Sequence, residues 1–184
     1  MIWAKAHSGN GWANIYDIVA DESNAVVTGY FGSTLSGSGI TVSGSGYENV
    51  FVAKVSPSGS AAWITVGQNP NAYGRSVAMD DDGNIYVSGY FEGSLTTGAN
   101  ILAGTSNDRN VFVEKLNPSG SVQWSRKAGS NDSDWGQGLT VDSRGRILAT
   151  GSFRESAGTF GSTTLNNAGG DDAFLWRIWQ DEEQ

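Results

Sequence analysis

Val50-Phe51-Val52-Ala53-Lys54-Val55-Ser56-Pro57-Ser58-Gly59 returns as Val111-Phe112-Val113-Glu114-Lys115-Leu116-Asn117-Pro118-Ser119-Gly120, and begins a third time as Ala173-Phe174-Leu175-Trp176-Arg177-Ile178. Each complete copy runs on to a tryptophan, Trp63 or Trp124, and Trp3 stands one period earlier, so the three lie 60 and 61 residues apart. A fixed period of this kind is the signature of a repeat architecture and outranks any local motif. A further tryptophan at the same spacing would fall just past Gln184, and the third copy breaks off before it.

Around this stretch the apolar residues alternate with period two and are punctuated by turn residues, which predicts strands. The first strand of each unit covers Ile15 to Ala20, Arg75 to Met79 and Gln137 to Val141. An Asp-opened turn follows, as in Asp80-Asp81-Asp82-Gly83-Asn84, where Asp bonds its own backbone and Gly supplies a positive φ. The second strand reads Val26 to Phe31, Tyr86 to Phe91 and Leu148 to Phe153; the third is the quoted stretch, and the fourth carries the tryptophan. Four antiparallel strands and one aromatic signature per period of about sixty residues describe a β-propeller blade. Helical solenoids lack support because no 3.6-residue periodicity is present, and a parallel β-helix needs shorter coils.

Several of these residues together resemble the bacterial β-propeller repeats of the SBBP family. They are Gly-Tyr-Phe closing the second strand (Gly29 to Phe31, Gly89 to Phe91), the Phe-Val-x-Lys strand, the Pro-Ser-Gly turn, the closing Trp, and the run Leu165 to Phe174. The resemblance implies an extracellular or cell-surface bacterial protein and assigns no activity. The third repeat departs from the pattern, with Trp176 and Trp179 where the others have Ala53 or Glu114 and Ser56 or Asn117. These two serve either a junction between chains or core filling.

The expected fold class is therefore all-β, a propeller with three four-stranded blades per chain in one domain, 1–184. A strand at 1–7 completes a last blade; blade one is 15–66, blade two 75–127 and blade three 137–180. Propellers have four or more blades, and a three-blade arc would leave two blade faces bare. The chain opens with the strand that its last blade lacks. A homodimer closing a six-bladed ring satisfies both faces and both strand edges. A piece of a larger propeller and a nine-bladed trimer are the alternatives.

Composition bounds the chemistry. With no cysteine, disulfides and thiolate sites are excluded, and one histidine, His7, rules out a His-rich metal centre. A net charge of −8 disfavours a phosphate backbone as partner, so no nucleic acid is expected. No apolar run is long enough to cross a bilayer, and Met1 to Lys5 is no signal peptide, so the cytoplasm stays open as a location. Asp181-Glu182-Glu183 reads as a solvated end.

Function is sought on the long connections, Gly32 to Asn49, Glu92 to Asn110 and Arg154 to Asp172, with shorter companions at His7 to Asn14, Gly67 to Gly74 and Ala128 to Gly136. That face carries Trp12, Tyr73 and Trp135, and just beyond them the equivalent positions Tyr16, Arg75 and Gln137. Aromatics beside amide and charged groups stack on a sugar ring or clamp a peptide side chain; the plainer reading is packing between blades. The Asp80 to Asn84 run lacks the alternating spacing of a calcium loop and reads as a turn. Asp132-Ser133-Asp134 and Asp171-Asp172 are loop acids without a sequence pattern that joins them. Ser36 to Gly46, rich in Gly and Ser, reads as a flexible loop. No catalytic residue, cofactor or metal is expected. The reading is a non-catalytic binding or adhesion module for glycan or protein, against a purely structural self-assembling ring or a polysaccharide-acting enzyme with paired carboxylates.

Overall fold

The computed structural model describes residues 3–6, 9–37, 39–45, 47–68, 71–154 and 156–179. These form strands, turns and loops, with no helix among the described residues. The first unit runs β1 (Ala13–Ala20), β2 (Ala25–Phe31), β3 (Thr34–Gly37), β4 (Ile40–Ser43), β5 (Asn49–Val55) and β6 (Ala61–Val66). The second runs β7 (Ala72–Met79), β8 (Ile85–Glu92), β9 (Leu95–Thr97), β10 (Asn100–Leu102), β11 (Arg109–Leu116) and β12 (Val122–Ala128). The third runs β13 (Trp135–Val141), β14 (Ile147–Arg154), β15 (Gly158–Phe160), β16 (Thr163–Leu165) and β17 (Asp171–Ile178). The main sheets are antiparallel, with orders β1-β2-β5-β6, β7-β8-β11-β12 and β13-β14-β17; β3-β4, β9-β10 and β15-β16 are separate hairpins.

Two readings need correction. The first strands begin earlier than the alternation suggests, at Ala13, Ala72 and Trp135, because a bulge lifts Tyr16, Arg75 and Gln137 out of register. An inserted residue flips the in-out alternation, so a period-two reading does not carry through to the start of the strand. The long connections are not plain loops either: each folds a hairpin. Ser36 and Thr41, inside the stretch read as flexible, pair across β3 and β4 and bring their hydroxyls to 2.9 Å. The Asp turns are as expected, with Asp80 Oδ1 accepting from the Asp82 and Asn84 backbone N–H groups and Gly83 at φ +78°.

The sheets pack face to face. Val26, Val50 and Val52 of the first share a core with Ile85, Val87 and Phe112 of the second, and Val111 and Val113 share another with Phe174 and Ile178 of the third. The inner strands β1, β7 and β13 lie side by side in that order. Polar bonds tie them: Asp17 Oδ2 accepts from the Ser76 hydroxyl and from Val77 N–H, both at 2.9 Å, and Ser76 Oγ accepts from Leu139 N–H at 3.1 Å. The hairpins clip neighbouring units together, since Thr96 of β9 exchanges backbone bonds with Gln68 and Thr159 of β15 does so with Gly129. Behind β9, the Thr97 hydroxyl donates to Glu114 at 2.7 Å, and Glu114 is buried. Loss of hydration pushes that carboxyl up to about 7.

Two of the periodic tryptophans, Trp63 and Trp3, seat against the turn of the sheet that follows them. The Trp63 indole N–H donates to Pro118 O at 3.3 Å, and its ring covers Gly120, where any Cβ would collide with it. Trp3 makes the same contacts one unit earlier: its N–H reaches Pro57 O at 2.7 Å and its ring covers Gly59. Trp3 thus stands against the first sheet as Trp63 of β6 stands against the second.

Candidate functional site

At the end of the sheets where the hairpins emerge, aromatic and guanidinium groups form one row through all three units. Asn14 of β1 donates to the Tyr30 hydroxyl of β2 at 2.8 Å. The Tyr30 ring lies 5.0 Å from that of Tyr73 on β7, which stacks on Tyr90 of β8 at 4.8 Å. Arg109 of β11 continues the row, 5.5 Å from the Tyr90 ring and 5.6 Å from that of Trp135 on β13; Arg154 lies 5.0 Å from the other end of that contact, over Trp135. Beside Tyr30, the Tyr16 ring lies at 5.7 Å and carries the Arg75 guanidinium 4.0 Å above its centre.

Backbone pairing explains the placement. Asn14 faces Tyr30, Tyr73 faces Tyr90 and Trp135 faces Ser152, so each unit sets its own pair at the same rung of β1-β2, β7-β8 or β13-β14. Cross-strand neighbours at such rungs come within contact distance. The bulge then turns Tyr16, Arg75 and Gln137 along the inner strands.

Charge along the row is largely compensated. Arg109 Nε bonds Glu92 at 3.0 Å, and Arg154 holds Asp171 through Nε at 2.6 Å and Nη2 at 3.0 Å. Asn71 also donates to Glu92, at 2.8 Å, and the Tyr73 hydroxyl donates to Glu48. Burial and that carboxylate both raise the Tyr73 phenol. Burial likewise raises Tyr90, against the pull of Arg75 and Arg109. Arg75 has no ion-pair partner among the described residues.

The six residues singled out from the sequence divide accordingly. Tyr16, Tyr73, Arg75 and Trp135 belong to this row. Gln137 is exposed on β13 at the bulge position shared with Tyr16 and Arg75. Trp12, 78% exposed, precedes β1 and is not the counterpart of Tyr73; in register that is Asn14. Tyr73 and Trp135 lie in strands rather than loops and are half-buried. Of the loop acids, Asp134 is buried, accepting from Ser130 N–H, the Ser130 hydroxyl and Arg154 N–H, and Asp171 is held by Arg154. His7 and Asp181 to Glu183 lie outside the described residues.

Tyr30, Tyr90, Arg109 and Arg154 were not singled out. The first two were visible as the recurring Gly-Tyr-Phe, read there only as a family mark. Its third copy, Gly151-Ser152-Phe153, leaves the space that Trp135 uses.

Chemically, the row offers π faces, phenol hydroxyls and guanidinium N–H groups within a few ångströms of each other. That combination suits stacking on a flat apolar patch with polar groups at its edge, such as a sugar ring or a peptide side chain.

No curated protein matches the chain. The SBBP family, described as a beta-propeller repeat, matches residues 123–152, the span from β12 into β14. The strand-turn-strand grammar and this match agree: over residues 123–152 the chain is similar to the SBBP beta-propeller repeat.

Proposed function

We propose that this chain is a non-catalytic, ligand-binding propeller module and that two copies close one six-bladed ring. In this reading each sheet with its hairpin is a blade, and the aromatic–guanidinium row is the ligand platform, for glycan or protein. The observation that carries the binding reading is the continuity of the row across three units whose residues differ. Packing alone would be served by repeating one residue, whereas Asn14, Tyr73 and Trp135 share a position and differ in chemistry.

The ring is supported by two exposed faces. Leu175 is 72% exposed, while Val52 and Val113 at the same place in their units are buried. At the other end Ile18 is 61% exposed and its counterpart Val77 is 5%. Apolar residues left bare where their counterparts are buried support an interaction surface at each end.

The platform is tested with a panel of neutral and carboxylated oligosaccharides, read by tryptophan fluorescence, on the chain itself and on Tyr16→Ala and Arg75→Ala. Quenching that weakens roughly tenfold or more in the variants, with unchanged circular dichroism, is the expected result. Binding that is indifferent to both changes, or none with any sugar or peptide ligand, contradicts it. A second reading, a purely structural ring, is favoured by the half-buried state of Tyr73 and Trp135; under it their alanine variants lose stability and nothing else.

A further inference from the structure

Two cavities, of about 720 and 280 Å³, meet at the β15-β16 hairpin, the larger one lying between that hairpin and β12 of the second unit. Both are lined by Gly161 and Ser162 at the tip of the β15-β16 hairpin and by Trp176 of β17. The smaller one continues along Leu175 and Arg177 to Trp179. In the first two units this place is occupied. There the fourth strand pairs with the third and packs on the hairpin, β6 against β4 and β12 against β10. Val122 of β12 sits directly over Gly98 at the tip of its hairpin. Among the described residues, β17 has no strand on that side.

Resting on the ring reading, we infer that the site is filled by residues Trp3 to Ala6 of a second copy, in one register set by Trp176. Trp63 lies opposite Lys54 and Trp124 opposite Lys115, so Trp3 belongs opposite Arg177, the base at the same place. The next rung is then Ala4 against Trp176. In the first unit that rung holds small Ala53 against large Ile64, and in the second polar Glu114 against polar Ser125. Trp176 against Ala4 is the size-inverted version of the first. The first unit's rung carries its bulk on the fourth strand, and a Trp176–Ala4 rung carries it on the third. This accounts for the repeat-breaking tryptophan: Trp176 is buried against Phe160 and supplies the bulk that Ala4 lacks.

The supplying segment is already in position. Trp3 is anchored on Pro57 and Gly59 of its own first sheet, where a preceding blade's fourth strand belongs, and residues 3–6 are exposed. A second copy placing its third sheet there would bring the open edge of β17 to this exposed segment.

The test is a size swap read by light scattering on dilution. Ala4→Ile, at a position exposed in its own chain, overfills the rung; Trp176→Ala empties it. Each change is expected to weaken association roughly tenfold or more. The double variant recreates the Ile64–Ala53 pair and is expected to recover most of that loss. If the two changes merely add, the register is wrong while the ring stands. If the unaltered chain is a single copy at all concentrations, the ring reading falls and the occupant comes from elsewhere. Should Trp176→Ala lose its β-sheet circular dichroism, Trp176→Leu with Ala4→Val poses the same question.

Discussion

Val113 and Leu175 hold the same place in the repeat, on the same face of the third strand, yet one is fully buried and the other 72% exposed. The second sheet has a neighbour on both sides; the third has one. Strand propensity, turn chemistry and register are alike in the two regions, so those local properties do not decide burial. The neighbouring sheet does. In a repeat protein each unit is stable only through its contacts with the next, and the end units show what is missing.

The largest effect separating the two regions is expected at the junction core. Phe112→Ala in the second sheet, fully buried, removes about 3–5 kcal/mol of stability in urea unfolding. A loss below about 1 kcal/mol would mean that the sheets do not share a core. Next comes the buried carboxyl that only the second sheet carries, since its counterparts are Ala53 and Trp176. Glu114 is raised from 4.5 to about 7 by burial, so the folded state favours the protonated acid. Its stability is fully present below pH 4.5 and declines as pH rises through 7, by about 3 kcal/mol in all. Glu114→Gln is expected to remove that decline, so that wild type and variant diverge between pH 5 and pH 8; parallel profiles would contradict the burial argument.

A smaller effect tests the tryptophan lock. Gly120→Ala places a Cβ into Trp63 at φ +84° and is expected to cost about 1–2 kcal/mol from the backbone alone, plus the collision. Gly59→Ala does the same to Trp3, and a markedly smaller cost would show that the first lock matters only in an assembled ring. The smallest effect is at the exposed end. Leu175→Ala is expected to change the stability of a single chain by less than about 0.5 kcal/mol. Its effect on assembly should be far larger than its effect on folding, the reverse of Val113→Ala.

Much of the fold was legible because period-two alternation, Asp turns and the recurring tryptophan act locally and repeat. The hairpins were not, because Thr34 to Ser43 carries only Leu35, Ile40 and Val42 among glycines and hydroxyl residues, too few apolar groups to show a period. The bulges hid the first two or three residues of every inner strand and with them the equivalence of Tyr73 to Asn14 rather than to Trp12. The site was half legible. Trp135 and Tyr73 stood out as aromatics near loops, whereas Arg109 and Arg154 became part of it only through folding, from strands far apart in the chain. Trp176 was noticed as a break in the repeat, but its counterpart Ala4 carries no signal until the rungs of the first two sheets are seen.

The measurement that bears most directly on this account is the solution mass, by size exclusion coupled to light scattering over a dilution series. A particle of twice the 19.4 kDa chain mass, persisting until high dilution, is the predicted result and places a second copy on the open faces. A particle of one chain mass at every concentration would contradict it, and would leave Leu175 and Ile18 as surfaces awaiting some other partner.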